Sequence, residues 1–128
     1  MTKVSNIKKK FIKANEENYR LILNYRKSLL LKNKSTHTIE NYSKDVYHLM
    51  IWLQDRDIKT IDLTLELFTE YMNTMDSVTA ARRLKIVSGI KAFYQLLRER
   101  RTVKSNVIDA YDTTELRIKF NAEKMSKE

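Results

Sequence analysis

Arg82 and Lys85 fall within about 60° of each other on a helix turning 100° per residue, with Gly89 on the same side. A guanidinium fork matches phosphate oxygens and the acceptor edge of guanine, and an ammonium matches phosphate as a point charge. Lys44 and Asn41 share a second polar helix face, and a carboxamide there has the donor and acceptor that adenine requires. Ser35, Thr36, Thr38, Ser77 and Thr79 cluster at two expected helix starts. Hydroxyls and free N–H groups at such places donate to phosphate oxygens. Arg83 lies toward the apolar side of its helix, where its stem covers core while its head reaches water. It is the most inward member of this contact set, and Lys91 is read as a solvated position.

Bond-breaking chemistry finds no comparable grouping. One glycine, Gly89, cannot build a glycine-rich phosphate loop, and no nucleophile elbow is present. His37 and His48 have no companion ligands, and with no cysteine neither a zinc site nor any other cofactor is expected. The acid pairs Glu16/Glu17 and Asp55/Asp57 fall at helix ends, where capping and the helix dipole account for them. Most of the tyrosines fall on apolar stripes with no activating neighbour. The expectation is a non-enzymatic chain.

The elements that must carry these residues are helices. The absence of proline and the single glycine argue against a sandwich or barrel, which needs turn residues. A first helix is expected over 16–32, capped by Asn15, with an apolar stripe of Tyr19, Ile22, Leu23, Leu29 and Leu30. A second, capped by Ser35 or Thr36 and reaching about residue 55, buries Ile39, Tyr42, Val46, Leu49, Met50 and Leu53. Its other face shows Asn41, Lys44, Asp45 and His48. A third, capped by Asp62 or Thr64, reaches about residue 75. A fourth spans 78–100 behind a Ser77 cap, with Ile86, Val87, Ile90, Tyr94 and Leu97 inward. Gly89 costs that helix about 1 kcal/mol relative to alanine, so a close approach is expected there, by a crossing helix or by a ligand backbone. Leu116, Ile118 and Phe120 alternate with polar residues and predict an extended segment. Ser126 reads as the cap of a further helix. The fold class is all-α, a compact bundle of four main helices with a basic N-terminal extension and an extended C-terminal linker. The segments are a basic arm or frayed helix over 1–15, a helical body over 16–111 and a linker over 112–128.

The formal net charge of +9 is unevenly placed. Residues 1–34 carry ten basic and two acidic side chains, and residues 77–105 carry eight and one. Residues 35–76 carry three basic and eight acidic, and residues 106–128 four and five. Two separated basic blocks can be brought to one face, which attracts a polyanion. No apolar run approaches the roughly 20 residues of a membrane span, so no membrane partner is expected. The lack of cysteine fits a reducing cytoplasm.

Two stretches resemble a known family. Ser35-Thr36-His37-Thr38-Ile39-Glu40-Asn41-Tyr42-Ser43-Lys44-Asp45, followed by Leu49 and Trp52-Leu53, is similar to one helix start of the N-terminal, SAM-like core-binding domain of tyrosine recombinases, the phage integrases. Ser77-Val78-Thr79, then Ser88-Gly89-Ile90-Lys91-Ala92-Phe93-Tyr94 and Leu96-Leu97, is similar to that domain's long helix. Ile58, Ile61, Thr64 and Tyr71-Met72 resemble the stretch between. The resemblance runs over about residues 17–110, and Asn106-Val107 departs from the family's usual Asn-Pro.

The resemblance implies a clamp on double-stranded DNA, with the second and fourth helices meeting the major groove near their N-termini. It also implies that cutting, by a tyrosine nucleophile with arginine, lysine and histidine partners, belongs to a second domain not in this sequence. The chain is accordingly expected to be a piece of such a recombinase or a natural orphan, monomeric alone. In a full-length protein its partners would be the catalytic domain and other recombinase protomers. The alternative reading is a stand-alone helical interaction or regulatory module whose basic blocks meet an acidic protein.

Overall fold

The computed structural model describes residues 7–126 and divides into two compact units, one ending at Asp62 and the next beginning at Leu63. In the first unit α1 spans Glu16–Leu31 and α2 spans Thr36–Gln54, followed by a 3-10 turn at Thr60–Asp62. Asn15 caps α1 by accepting the Asn18 N–H at 2.9 Å, and Glu16 and Glu17 follow in the first turn. At the other end Asn33 takes φ 59°, with the Lys34 N–H on the Leu29 carbonyl and the Asn33 N–H on that of Leu30. This is a Schellman stop with asparagine in the left-handed position that glycine usually fills. Asp57 (φ 58°) ends α2 in the same way, which is how a chain with one glycine turns its corners.

The buried face of α1 is Asn18, Ile22, Tyr25, Ser28 and Leu29. It is rotated from the expected stripe: Tyr19 and Leu23 are half-buried and Leu30 is 65% exposed. Buried polar residues explain the difference. Asn18 donates to Gln54 Oε1 at 3.0 Å and accepts from the fully buried Thr60 hydroxyl at 2.7 Å, tying α1 to the end of α2 and the turn beyond. On α2, Ile39, Val46, Leu49, Met50 and Leu53 are buried as expected, and Tyr42 is half-buried. Asp45, expected on the outer face, is buried instead; burial first, then Tyr42 and the Asp45 charge, push the Tyr25 phenol above its ordinary range.

Residues 7–10 are helical and Phe11 is buried, edge-on to Tyr47 at 5.2 Å. The Gln54 amide donates to the Lys13 carbonyl at 2.8 Å. Over 7–14 the expected basic arm or frayed helix is a packed part of this unit, helical at 7–10, and residues 1–6 of that expectation lie outside the described residues.

In the second unit α3 spans Leu65–Asn73, α4 spans Ala80–Glu99, a 3-10 turn covers Val107–Ala110, and α5 spans Thr114–Ser126. Thr64 caps α3. The cap of α4 is Thr79, not Ser77, because the chain still turns at Val78, whose N–H bonds the Met75 carbonyl. Phe68 and Tyr111 meet edge-on at 4.9 Å, fastening the 3-10 turn to α3. Asn106 donates to the Lys91 carbonyl at 3.0 Å and accepts the Ile108 N–H at 3.1 Å, fastening it to α4.

Two expectations are corrected here. The segment after residue 112 is helical rather than extended, so with the helical residues 7–10 six α-helical segments and two 3-10 turns stand among the described residues, not four main helices. Leu116 is buried, Phe120 and Glu123 are half-buried, and Ile118 is 63% exposed, which is one helical face with Ile118 on the reverse. The apparent alternation came from that one exposed isoleucine. Ser126 is the last described residue of α5, its hydroxyl donating back to the Glu123 carbonyl at 2.9 Å, and the further helix expected after it lies outside the described residues. Among the described residues no helix is long and apolar enough to cross a membrane.

Candidate nucleic-acid interface

The first unit places Ser35, Thr36, Thr38, Asn41 and Lys44 on the first three turns of α2. Ser35 Oγ accepts the Thr38 N–H at 3.1 Å and donates to Thr38 Oγ1 at 3.0 Å. The Thr38 hydroxyl keeps its own proton for an outside acceptor. Capping leaves the N–H groups of Thr36 and His37, both exposed residues, without a partner in the helix. This is an open, partly positive helix end. Asn41 is half-buried, its amide nitrogen 2.9 Å from His37 Nε2, and Lys44 is exposed one turn on.

The acid of this face is neutralised from within. Glu40 binds Arg26 Nη2 and Lys10 Nζ, each at 2.6 Å. These two partners lower its pKa from the usual 4.5 to about 2, so the carboxylate stays ionised and matched. Lys10, Asn41, Lys44 and His48 border one cavity beside it, leaving a surface that no unpaired acid opposes. Lys10 was missed from sequence because its helix had no start signal.

The second unit places Ser77, Thr79, Arg82, Arg83 and Lys85 around the start of α4, and here the helix end is not open. Thr79 Oγ1 accepts the Arg82 N–H at 3.2 Å. The Glu123 carboxylate, from the last turn of α5, accepts the Ala80 N–H at 3.2 and 3.3 Å through its two oxygens. Only the Ala81 N–H remains of the first turn's donors. Ser77 is exposed ahead of the cap, Arg82 is half-buried and Lys85 is exposed. Arg83 is half-buried, with Nε shut from solvent and without an acceptor, and its charge acts on the Tyr111 phenol against the effect of burial. Gly89 is buried, so the close approach it permits is inside the fold and not to an outside ligand.

A family model, that of the phage integrase N-terminal SAM-like domain, matches residues 22–101. The chain belongs to this family. No curated protein and no solved structure matches it. The SAM-like domain is the non-catalytic, core-binding part of phage integrases. The matched stretch holds both helix starts described above, and it ends before the 3-10 turn and α5. Arg117 and Glu123 thus lie outside the stretch that carries the family likeness.

Proposed function

We propose that this chain is the DNA-binding core-binding domain of a tyrosine-type site-specific recombinase, gripping duplex DNA at the recombination core site. The observation that carries the reading is the family match, within which lie an open start of α2 with exposed Lys44 and a start of α4 flanked by Arg82 and Lys85. Phosphate binding is assigned to the Thr36 and His37 N–H groups and the Thr38 hydroxyl, with Lys44 and Lys85 supplying charge. Asn41 and Arg82 are the side chains assigned to base edges. In a full-length protein the catalytic domain and neighbouring protomers complete the clamp.

The test is fluorescence anisotropy of a labelled duplex titrated with the chain across a salt series. Log affinity is expected to fall linearly with log salt, by about 0.9 per phosphate contacted. Arg82→Ala and Lys44→Ala are each expected to weaken binding. No binding to duplex DNA at low salt overturns the reading.

A further inference from the structure

A cavity of about 310 Å³ opens beside α4, walled by α4, the 3-10 turn and the entry into α5. Its polar lining is Lys85, Ser88 and Lys91 from α4 and Tyr111, Thr113 and Arg117 from beyond the turn. We propose that this cavity seats a backbone phosphodiester of duplex DNA, extending the α4 contact surface toward the middle of that helix. The inference rests on the DNA-binding reading above and deepens it, adding Lys91 and Arg117 to the interface.

Three observations support an anion here. The first is arrangement. On the helix wheel Lys85 and Lys91 flank Ser88 by about 60° on either side, so both lysines rim the same opening. Arg117 closes it from the other wall. The second is charge balance. Asp109 lies 3.5 Å from Lys91 Nζ, with both side chains more than half exposed, at 54% and 61%, and Glu115 is close enough to act on the Tyr111 phenol. The Lys91–Asp109 pair is weak and exchangeable. Lys85 and Arg117 have no carboxylate partner among the described residues. The third is preorganisation. Arg117 Nε donates to Thr113 Oγ1 at 3.0 Å, which fixes the guanidinium and leaves its two Nη groups for a paired contact to phosphate oxygens. Burial raises the Tyr111 phenol pKa, so this hydroxyl remains a donor. Leu84, Val87 and Ile108 complete the lining, and apolar walls weaken competition from water for the charged groups.

The volume is at the low end for ligand pockets, which run to about 1,000 Å³. It suits one tetrahedral anion with the edge of its sugars. Lys85 belongs to both the cavity and the proposed interface, so a strand lying along α4 reaches the two together.

The experiment compares the whole chain with Arg117→Gln, Lys91→Gln and Lys104→Gln. Lys104 is exposed and outside the cavity, so it controls for loss of one charge. Duplex affinity is measured by anisotropy over a salt series, with circular dichroism to verify folding. Arg117→Gln and Lys91→Gln are each expected to flatten the log–log salt slope by about 0.9 and to weaken binding about eightfold at 0.1 M salt. Lys104→Gln is expected to leave the slope unchanged. Equal effects of all three substitutions overturn the seat while leaving DNA binding intact. If the wild-type chain binds no duplex, the functional reading falls first, and inorganic phosphate then decides the seat. Amide shifts at Ser88 and Thr113 that Arg117→Gln abolishes support a free-anion site, and no shift overturns it.

Discussion

Glu123 reaches across 43 positions of sequence to place both carboxylate oxygens on the Ala80 N–H, the first donor of α4, at 3.2 and 3.3 Å. A helix start presents unpaired N–H groups and partial positive charge, and a carboxylate there satisfies both. The contact joins the last turn of α5 to the first turn of α4, with Leu116 buried further along the same α5 face.

Removing that carboxylate should therefore act as a lost cap. Glu123→Ala is expected to destabilise the chain by about 0.5–2 kcal/mol, the usual cost of an N-cap. Urea unfolding checks this through a lower midpoint at unchanged slope. The substitution also removes an acid beside the proposed DNA-facing end of α4 and uncovers a donor. Duplex affinity should rise, not fall. A variant of undiminished stability would show the contact to be incidental.

The cap Asn15, and Ser35 and Thr64 each as one of two candidates, were legible because each acts on its own helix three residues ahead. Local rules pointed to Ser77 as the cap of α4, and the chain's turn at Val78 moves the cap to Thr79. The stripe of α2 was legible because its buried positions are mostly apolar. That of α1 was displaced because Asn18 and Ser28 are buried and polar, held by partners that periodicity cannot see. In α5 a single exposed residue, Ile118, gave a short helix the alternation of a strand. For the proposed site, the helix faces that carry Lys44, Arg82 and Lys85 follow from helical spacing, whereas the placement of Lys10, Lys91 and Arg117 depends on the segments packed beside them.

Glu40 makes the acid side of the stability profile predictable. Its folded-state pKa, about 2, lies below the ordinary 4.5 because Arg26 and Lys10 hold the charged form. The native state thus takes up the proton less readily than the unfolded chain. The contribution is complete above about pH 5 and is lost as pH falls toward 2. Glu40 is 36% exposed, so after solvent screening the effect is about 1 kcal/mol. Glu40→Gln should lower stability at neutral pH by that amount and flatten the stability slope between about pH 5 and pH 2. Thermal unfolding of the two proteins across that range checks it. Parallel profiles would show that the two cations contribute no net stabilisation.

Val107 follows Asn106 where the resemblance noted from the sequence implies Asn-Pro, and the backbone there is already prepared for a proline. Asn106 sits at φ −91° and ψ 101°, the extended region that a residue before proline prefers. Val107 opens the 3-10 turn, so its N–H has no acceptor within the turn, and a fixed φ near −65° suits that first position. The bonds that hold the turn, from Ile108 to Asn106 Oδ1 and from Asn106 Nδ2 to the Lys91 carbonyl, do not use the Val107 N–H. The opposing effect is loss of a valine side chain that is only half-buried. Val107→Pro should accordingly be neutral to stabilising, by up to about 1 kcal/mol, through reduced freedom of the unfolded chain. Asn106→Ala is the contrasting case: it removes both bonds of a buried carboxamide and should cost about 1–3 kcal/mol. Urea midpoints of the two variants decide the matter, and a strongly destabilised Val107→Pro would mean that the turn depends on an N–H or a side-chain contact that proline cannot supply.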